Sequence, residues 1–309
     1  MVSFVDVRDP VTQSGTAFAR HQTFHLRDGW LYKALAAVQA DAGALTGKEA
    51  HHDLGVGKNM LQAISYWIQA TNLVKRESKR YSAKSPLSLT PLAELIVRHD
   101  PYLEDPGTLW ALQIELASNS STATFWYWAF NMFPQREFTE DRLAQSIKQY
   151  LDEQGISKVA ESSLHKDGRC FLRTYVPSRD RGKNRPIDDS LDCPLSVLGL
   201  VRETPLSGRY KFQIGHHNSL PTDLFAYALY RFKEHTSPDD VVVSLEDVRW
   251  APLSPGRLLC LDMRAILDYL EELEFKTSHV RVIRTEGLNM VSLGSSVAST
   301  DLLEEYYGS

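Results

Sequence analysis

Leu54-Gly55-Val56-Gly57-Lys58-Asn59-Met60-Leu61-Gln62-Ala63-Ile64-Ser65-Tyr66-Trp67-Ile68-Gln69-Ala70 is the stretch whose reading decides the fold. Met60, Leu61, Ile64, Trp67 and Ile68 recur at helical spacing and form one apolar face, which leaves Lys58, Asn59, Gln62 and Ser65 opposite. The glycines ahead of it mark a tight turn. Upstream, Trp30 to Val38 predicts an amphipathic helix with Asp28 as its N-cap, and Lys48 to Leu54 a short second helix. Downstream, Val74 to Ser88 is a basic, hairpin-like segment, and Thr90-Pro91 opens another helix with a capping hydroxyl and a proline at the first position. Three helices, a glycine turn before the third and a basic ribbon after it follow the order of a winged helix-turn-helix.

That order says which residues would meet DNA. A recognition helix enters the major groove by its first turn, here Lys58, Asn59 and Gln62; asparagine can pair bidentately with adenine, and lysine reaches guanine or phosphate. Lys75, Arg76, Lys79, Arg80 and Lys84 would track phosphates from the wing. The arm before the first helix, Arg20-His21-Gln22-Thr23-Phe24-His25-Leu26-Arg27, adds Arg27. Between Leu54 and Lys84 lie six cations against the single acid Glu77, although the whole chain carries a net charge of -5. The first hundred residues hold 12 Lys plus Arg against 9 Asp plus Glu, the remainder 22 against 30. A generally basic nucleic-acid coat is thereby excluded, whereas a local phosphate-binding surface is not.

The Gly55-x-Gly57-Lys58 string is no phosphate-binding loop for a nucleotide, because His52 and Asn59 stand where that loop needs glycine and a hydroxyl. No nucleotide cofactor is expected. Cys170, Cys193 and Cys260 are odd in number and widely spaced, which predicts reduced, buried thiols. The pairs His51-His52 and His216-His217 are adjacent, and neighbours on a helix do not face one ligand. Without a leader or an apolar stretch of membrane-spanning length, a cytoplasmic protein with no membrane partner is expected.

The pattern predicts a mainly α chain with small β-hairpin wings in three parts. Residues 1–98 would be the DNA-binding domain, 99–205 a helical, aromatic-rich core region with a basic loop, and 206–309 a winged-helix-like interaction region. Phe125-Trp126-Tyr127-Trp128-Ala129-Phe130 lacks interleaved basic residues and reads as core or a seam. Thr139 should cap a helix ended by Gly155. The loop Pro177 to Pro186 brings Arg179, Arg181, Lys183 and Arg185 to a backbone-binding role, followed by Asp188, Asp189 and Asp192. In the last part come a strand from Tyr210 to Ile214 and helices at Leu224 to Phe232, Ser244 to Val248 and Arg257 to Leu273. A hairpin from Val280 to Leu293 follows. Asp262, Asp268, Glu271, Glu272 and Glu274 make the last of these helices acidic, which suits protein contact better than DNA. Leu302 to Tyr307 could dock a partner.

The strings His21-Gln22-Thr23-Phe24, Leu54 to Met60, Asp100-Pro101-Tyr102-Leu103, Thr108-Leu109-Trp110 and Asp192-Cys193-Pro194-Leu195 together resemble a bacterial family of domains of unknown function. Its members are encoded beside enzymes similar to phosphoadenosine-phosphosulfate reductase and include the B component of single-strand DNA phosphorothioation systems. The resemblance covers nearly the whole chain. It implies nicking of one DNA strand, in phage defence, alongside a cysteine desulfurase, an ATPase and a sulfurtransferase. A non-catalytic recognition and recruitment subunit and a winged-helix transcriptional regulator are the competing readings.

If the chain nicks, in-line attack on a phosphodiester needs positive charge on the non-bridging oxygens and a group that moves a proton. Arg20 and His21 supply both if the arm lies along the DNA. The rival site is Asp189 with Asp192, whose carboxylates would hold magnesium or manganese.

Overall fold

The computed structural model describes residues 16–47, 49–76, 85–156, 158–177, 192–206, 208–236, 241–285 and 288–308. It is mainly helical, with three small antiparallel sheets. The first part holds α1 (Trp30–Ala40), α2 (Ala50–Asp53) and α3 (Lys58–Ala70), then strands β1 (Val74–Arg76) and β2 (Leu87–Leu89) paired antiparallel with Val74 opposite Leu89. α4 (Pro91–His99) follows, its Thr90 hydroxyl accepting from the Ala93 N–H as expected. Asp28 is not the cap of α1, which starts instead from Gly29 in the left-handed region, φ 72°. The second helix is shorter than its pattern predicts, a single turn at Ala50–Asp53.

α3 ends in a way that matters below. Asn72 sits at φ 53°, its N–H donating to the Gln69 carbonyl, while Leu73 N–H donates to the Ile68 carbonyl. These are the two bonds of a Schellman closure, with asparagine where glycine is usual. The side chain of Asn72 is thereby aimed at a neighbour rather than dispensed with.

Three helices form the centre: α5 (Pro106–Ser118), α6 (Thr124–Asn131) and α8 (Glu161–Tyr175), with α7 (Glu140–Glu153), capped by Thr139, packed on α8. α5 and α6 are enclosed on all sides, and every residue from Gly107 to Ala117 and from Thr124 to Asn131 is buried. Phe125, Trp126, Tyr127 and Trp128 are at most 2 % exposed, and Phe125, Trp126 and Trp128 meet Phe171, Trp67 and Phe133 edge-on or tilted, so the aromatic run is core. β3 (Glu137–Phe138), β4 (Val201–Glu203) and β5 (Tyr210–Phe212) make a sheet in the order β3-β5-β4.

In the last part, α9 (Thr222–Thr236) leads to β6 (Val242–Ser244), α10 (Leu245–Trp250), α11 (Pro255–Leu258) and α12 (Met263–Lys276). The hairpin β7 (Val280–Thr285) and β8 (Leu288–Leu293) and a terminal α13 (Ser299–Gly308) complete it. The amphipathic run expected from Arg257 to Leu273 is broken in two: Cys260 adopts φ 52°, and Asp262 caps a new helix by accepting from Ala265 N–H. The hairpin also gains a third strand, in the order β6-β8-β7. The terminal helix docks on its own chain, against α4 and α9, with Tyr307 bonded to Thr108 and Tyr306 to Asp105. One hydrophobic cluster runs from Leu26 to Tyr307 through all three parts. Among the described residues no helix is long and apolar enough to cross a membrane.

Candidate nucleic-acid interface and the polar cleft beside it

Lys58, Asn59 and Gln62 are exposed on the first two turns of α3, as their spacing predicts. Ser65 and Gln69 continue the same face, so a polar stripe at i, i+3 and i+4 spacing descends the whole helix. Ala63, Ile64, Trp67 and Ile68 bury the other side. Lys75 on β1 is exposed, and Arg76 is half-buried, its guanidinium donating to the Gln69 side chain at 3.0 Å and to the Ser85 carbonyl at 3.4 Å. Lys79, Arg80 and Lys84, the loop cations Arg179, Arg181, Lys183 and Arg185, and Asp189 lie outside the described residues. Asp192 is described, half-buried ahead of the 3-10 turn Pro194–Leu198.

The segment before α1 is not an arm extended into solvent. Residues 16 to 27 are strapped across α3, α6 and α8. Ala17 N–H donates to the Thr124 hydroxyl, Ala19 N–H reaches both Asp167 oxygens at 3.0 and 3.1 Å, and Trp67 Nε1 and Cys170 Sγ donate to the Phe24 carbonyl. His21 is wholly buried. Its Nε2 lies 2.6 Å from Asp167 Oδ1, and its Nδ1 accepts from Thr23 N–H, which fixes the tautomer with the proton on Nε2. Tyr66 and Trp126 stand edge-on to the ring. Burial pushes the Asp167 carboxyl up, and His21 and Ala19 N–H pull it back in part. His21 is thus enclosed by protein, whereas Arg20 beside it is exposed. Arg27 is likewise inside, 5 % exposed, with its guanidinium over the rings of Phe24 and Trp30. A basic, polar stretch reads as solvated in the sequence because the partners that enclose His21 and Arg27 are distant or aromatic.

At the lower end of the α3 stripe opens a polar cleft of about 420 Å³ between β1, the α5–α6 connection and α9. Its base is Glu115, whose side chain is 4 % exposed and paired with Arg231. Asn72 donates to it at 2.6 Å, Tyr227 donates its hydroxyl, and Arg231 Nη2 spans both oxygens at 3.1 and 3.2 Å. Burial and then the Glu115 charge hold the Tyr227 hydroxyl well above its ordinary range. Burial opposes the charge of Arg231, but Glu115, Tyr227 and Glu234 together outweigh it and the net shift is upward. Reading the sequence for function misses this group. The one signal was a carboxylate within Leu109-Trp110-Ala111-Leu112-Gln113-Ile114-Glu115-Leu116, since a buried charge must find a partner.

Glu49, His51 and His52 also come together. Their ligand atoms lie within 4.8 Å of one another and the two imidazoles are in contact at 4.0 Å, contrary to the expectation that adjacent histidines diverge. Two nitrogens and one carboxylate suit a transition metal rather than magnesium, which takes oxygen.

No curated protein matches the chain. Two solved structures do: a magnesium ion-bound SspB crystal structure, 30% identical with a TM-score of 0.87 over 96% of this chain and 90% of that one, and a second SspB crystal structure, also 30% identical, with a TM-score of 0.86 over 97% and 91%. The family described as "Protein of unknown function (DUF4007)" matches residues 18–307. With that match spanning both the α3 stripe and the cleft, the chain belongs to the DUF4007 family and shares its fold with SspB.

Proposed function

We propose that this chain is the DNA-binding component of a single-strand phosphorothioation system, and that it nicks one strand so that sulfur can enter the backbone. The likeness to SspB along nearly the full length carries this reading. The exposed stripe of α3 supports it physically. In the proposal α1 to α3 with β1 and β2 work as a winged helix-turn-helix: Asn59 and Gln62 read bases, and Lys58, Lys75, Arg76, Lys79, Arg80 and Lys84 hold phosphates. Arg179, Arg181, Lys183 and Arg185 extend the backbone contact. A cysteine desulfurase, an ATPase and a sulfurtransferase are the proposed partners, and the cytoplasm the proposed compartment.

For the nicking step the proposal keeps Arg20 as a phosphate contact and assigns His21 to fixing the strap beneath it. A divalent cation is supported by the magnesium-bound relative. Among the described residues the metal-type group Glu49, His51 and His52 does not suit magnesium, and Glu115 is fully engaged, so no step is routed through the ion. Asp189 and Asp192 remain the carboxylates proposed to hold it.

The test is supercoiled plasmid incubated with the purified protein, with and without magnesium or manganese. Conversion to the open circular form is expected. Retained DNA binding without any nicked product would replace the nickase by a recruitment subunit, and loss of DNA binding would sink both.

A further inference from the structure

We propose that the cleft at the C-terminal end of α3 is a seat for a backbone phosphate of the bound DNA, closed by Arg231. The inference rests on the DNA-binding reading above and deepens it. Four observations converge on an oxyanion.

The first is charge. Lys75, Arg76 and Arg231 line the cleft against the single carboxylate Glu115, a formal balance of +2 in a chain of net charge -5. The second is a guanidinium held at the cleft: Arg231, whose side chain is 24 % exposed, spends Nη2 on Glu115 and is fixed there by it. A guanidinium already fixed in place forms charge-assisted bonds to phosphate oxygens at little further cost in side-chain entropy. The third is the polar lining, in which Ser118, Ser120, Ser121 and Thr122 bound the cleft, the Ser121 hydroxyl donating to Asn119 Oδ1. The carbonyls that would repel an anion there are partly occupied, because Asn119 Nδ2 donates to both Gln69 and Ala70 oxygens. The fourth is continuity: Gln69 belongs both to the cleft and to the stripe that begins at Lys58. From Asn59 to Ala70 the helix rises about 17 Å, or roughly five nucleotide steps along one strand. A strand that runs along α3 from its first turn would have a phosphate within reach of the cleft.

Glu115 is a positioning residue in this account. Held by Asn72 and Tyr227, it fixes the Arg231 side chain at the edge of the cleft.

The experiment uses the full chain, labelled with nitrogen-15, and follows the arginine Nε–H resonances during titration with inorganic phosphate at constant ionic strength. The Arg231 signal, assigned by its loss in Arg231→Lys, should shift saturably. Thr122→Glu and Lys75→Glu, which add a carboxylate to the cleft without touching the Glu115 bonds, should abolish that shift. Each should also weaken binding of a labelled duplex about tenfold, with circular dichroism unchanged. No saturable shift in the wild type would overturn the proposal. So would a shift accompanied by unaltered duplex affinity in both variants, which would mean that the cleft takes a free anion. If the shift is present but the wild type binds no DNA, the DNA-binding reading fails and the backbone assignment with it, while an anion site is left standing on its own.

Discussion

Replacing His21 by alanine tests whether this residue braces the fold or serves chemistry directly. Asp167 is 2 % exposed, and its partners are the His21 Nε2–H at 2.6 Å and one backbone N–H from Ala19. His21→Ala leaves that carboxyl with the single backbone donor. Breaking a buried pair from one side costs about 3–5 kcal/mol. Thr23 N–H also loses the imidazole nitrogen it bonds at 3.1 Å, in a turn where Gln22 and Thr23 already hold φ of 51° and 68°. At about 2 °C per kcal/mol for a chain of this size, the melting temperature should fall by roughly 6–10 °C. The exposed neighbour offers the control, since Arg20→Ala should stay within about 0.5 kcal/mol. The loss should depend on pH. Burial already holds Asp167 above the ordinary carboxylate value, and without His21 it rises further. A group raised on folding contributes stability while protonated and loses it as the pH climbs through its folded value, so the deficit of His21→Ala should be larger at pH 7 than at pH 5. Asp167→Asn added to His21→Ala should recover part of it at pH 7. Thermal unfolding followed by circular dichroism at the two pH values measures all of this. A loss below about 1 kcal/mol, or one equal at both pH values, would refute the brace.

Asn59→Ala should cost about 1–3 kcal/mol at a preferred DNA site and little on random sequence, measured by fluorescence anisotropy; equal losses would make Asn59 a backbone contact only. Lys79→Ala with Arg80→Ala should weaken all sequences alike and lower the salt slope by roughly one unit per lost phosphate contact, and an unchanged slope would remove the wing from the interface. Gly107→Ala would place a methyl 2.1 Å from the Tyr306 hydroxyl that bonds Asp105. The terminal helix should loosen at a cost of about 1–3 kcal/mol, seen as faster proteolytic trimming from the C-terminus; wild-type resistance would show that α13 can shift without loss.

The parts of the fold legible in the sequence are those written in neighbouring residues. α3 could be delimited because its apolar face repeats every three to four positions, and Thr90 and Thr139 could be named as caps because a hydroxyl there accepts from a backbone N–H three residues on. The exposed stripe Lys58, Asn59 and Gln62 follows from the same periodicity. What could not be read depends on partners far away in the chain. Arg27 and His21 look like surface residues by composition, and only Phe24, Trp30 and Asp167 around them make them interior. The cleft shows the limit most clearly. Glu115 could be flagged from its apolar neighbours alone, but the three side chains that neutralise it stand 43, 112 and 116 positions away, and no pattern links them. A buried carboxylate without those donors would be costly enough to unfold the site, so Asn72, Tyr227 and Arg231 must already be in place when the folded state forms. The same constraint gives the cleft its use: a cation held rigid by a buried acid reaches a ligand with its side-chain entropy already spent, which a freely moving surface lysine such as Lys75 cannot match.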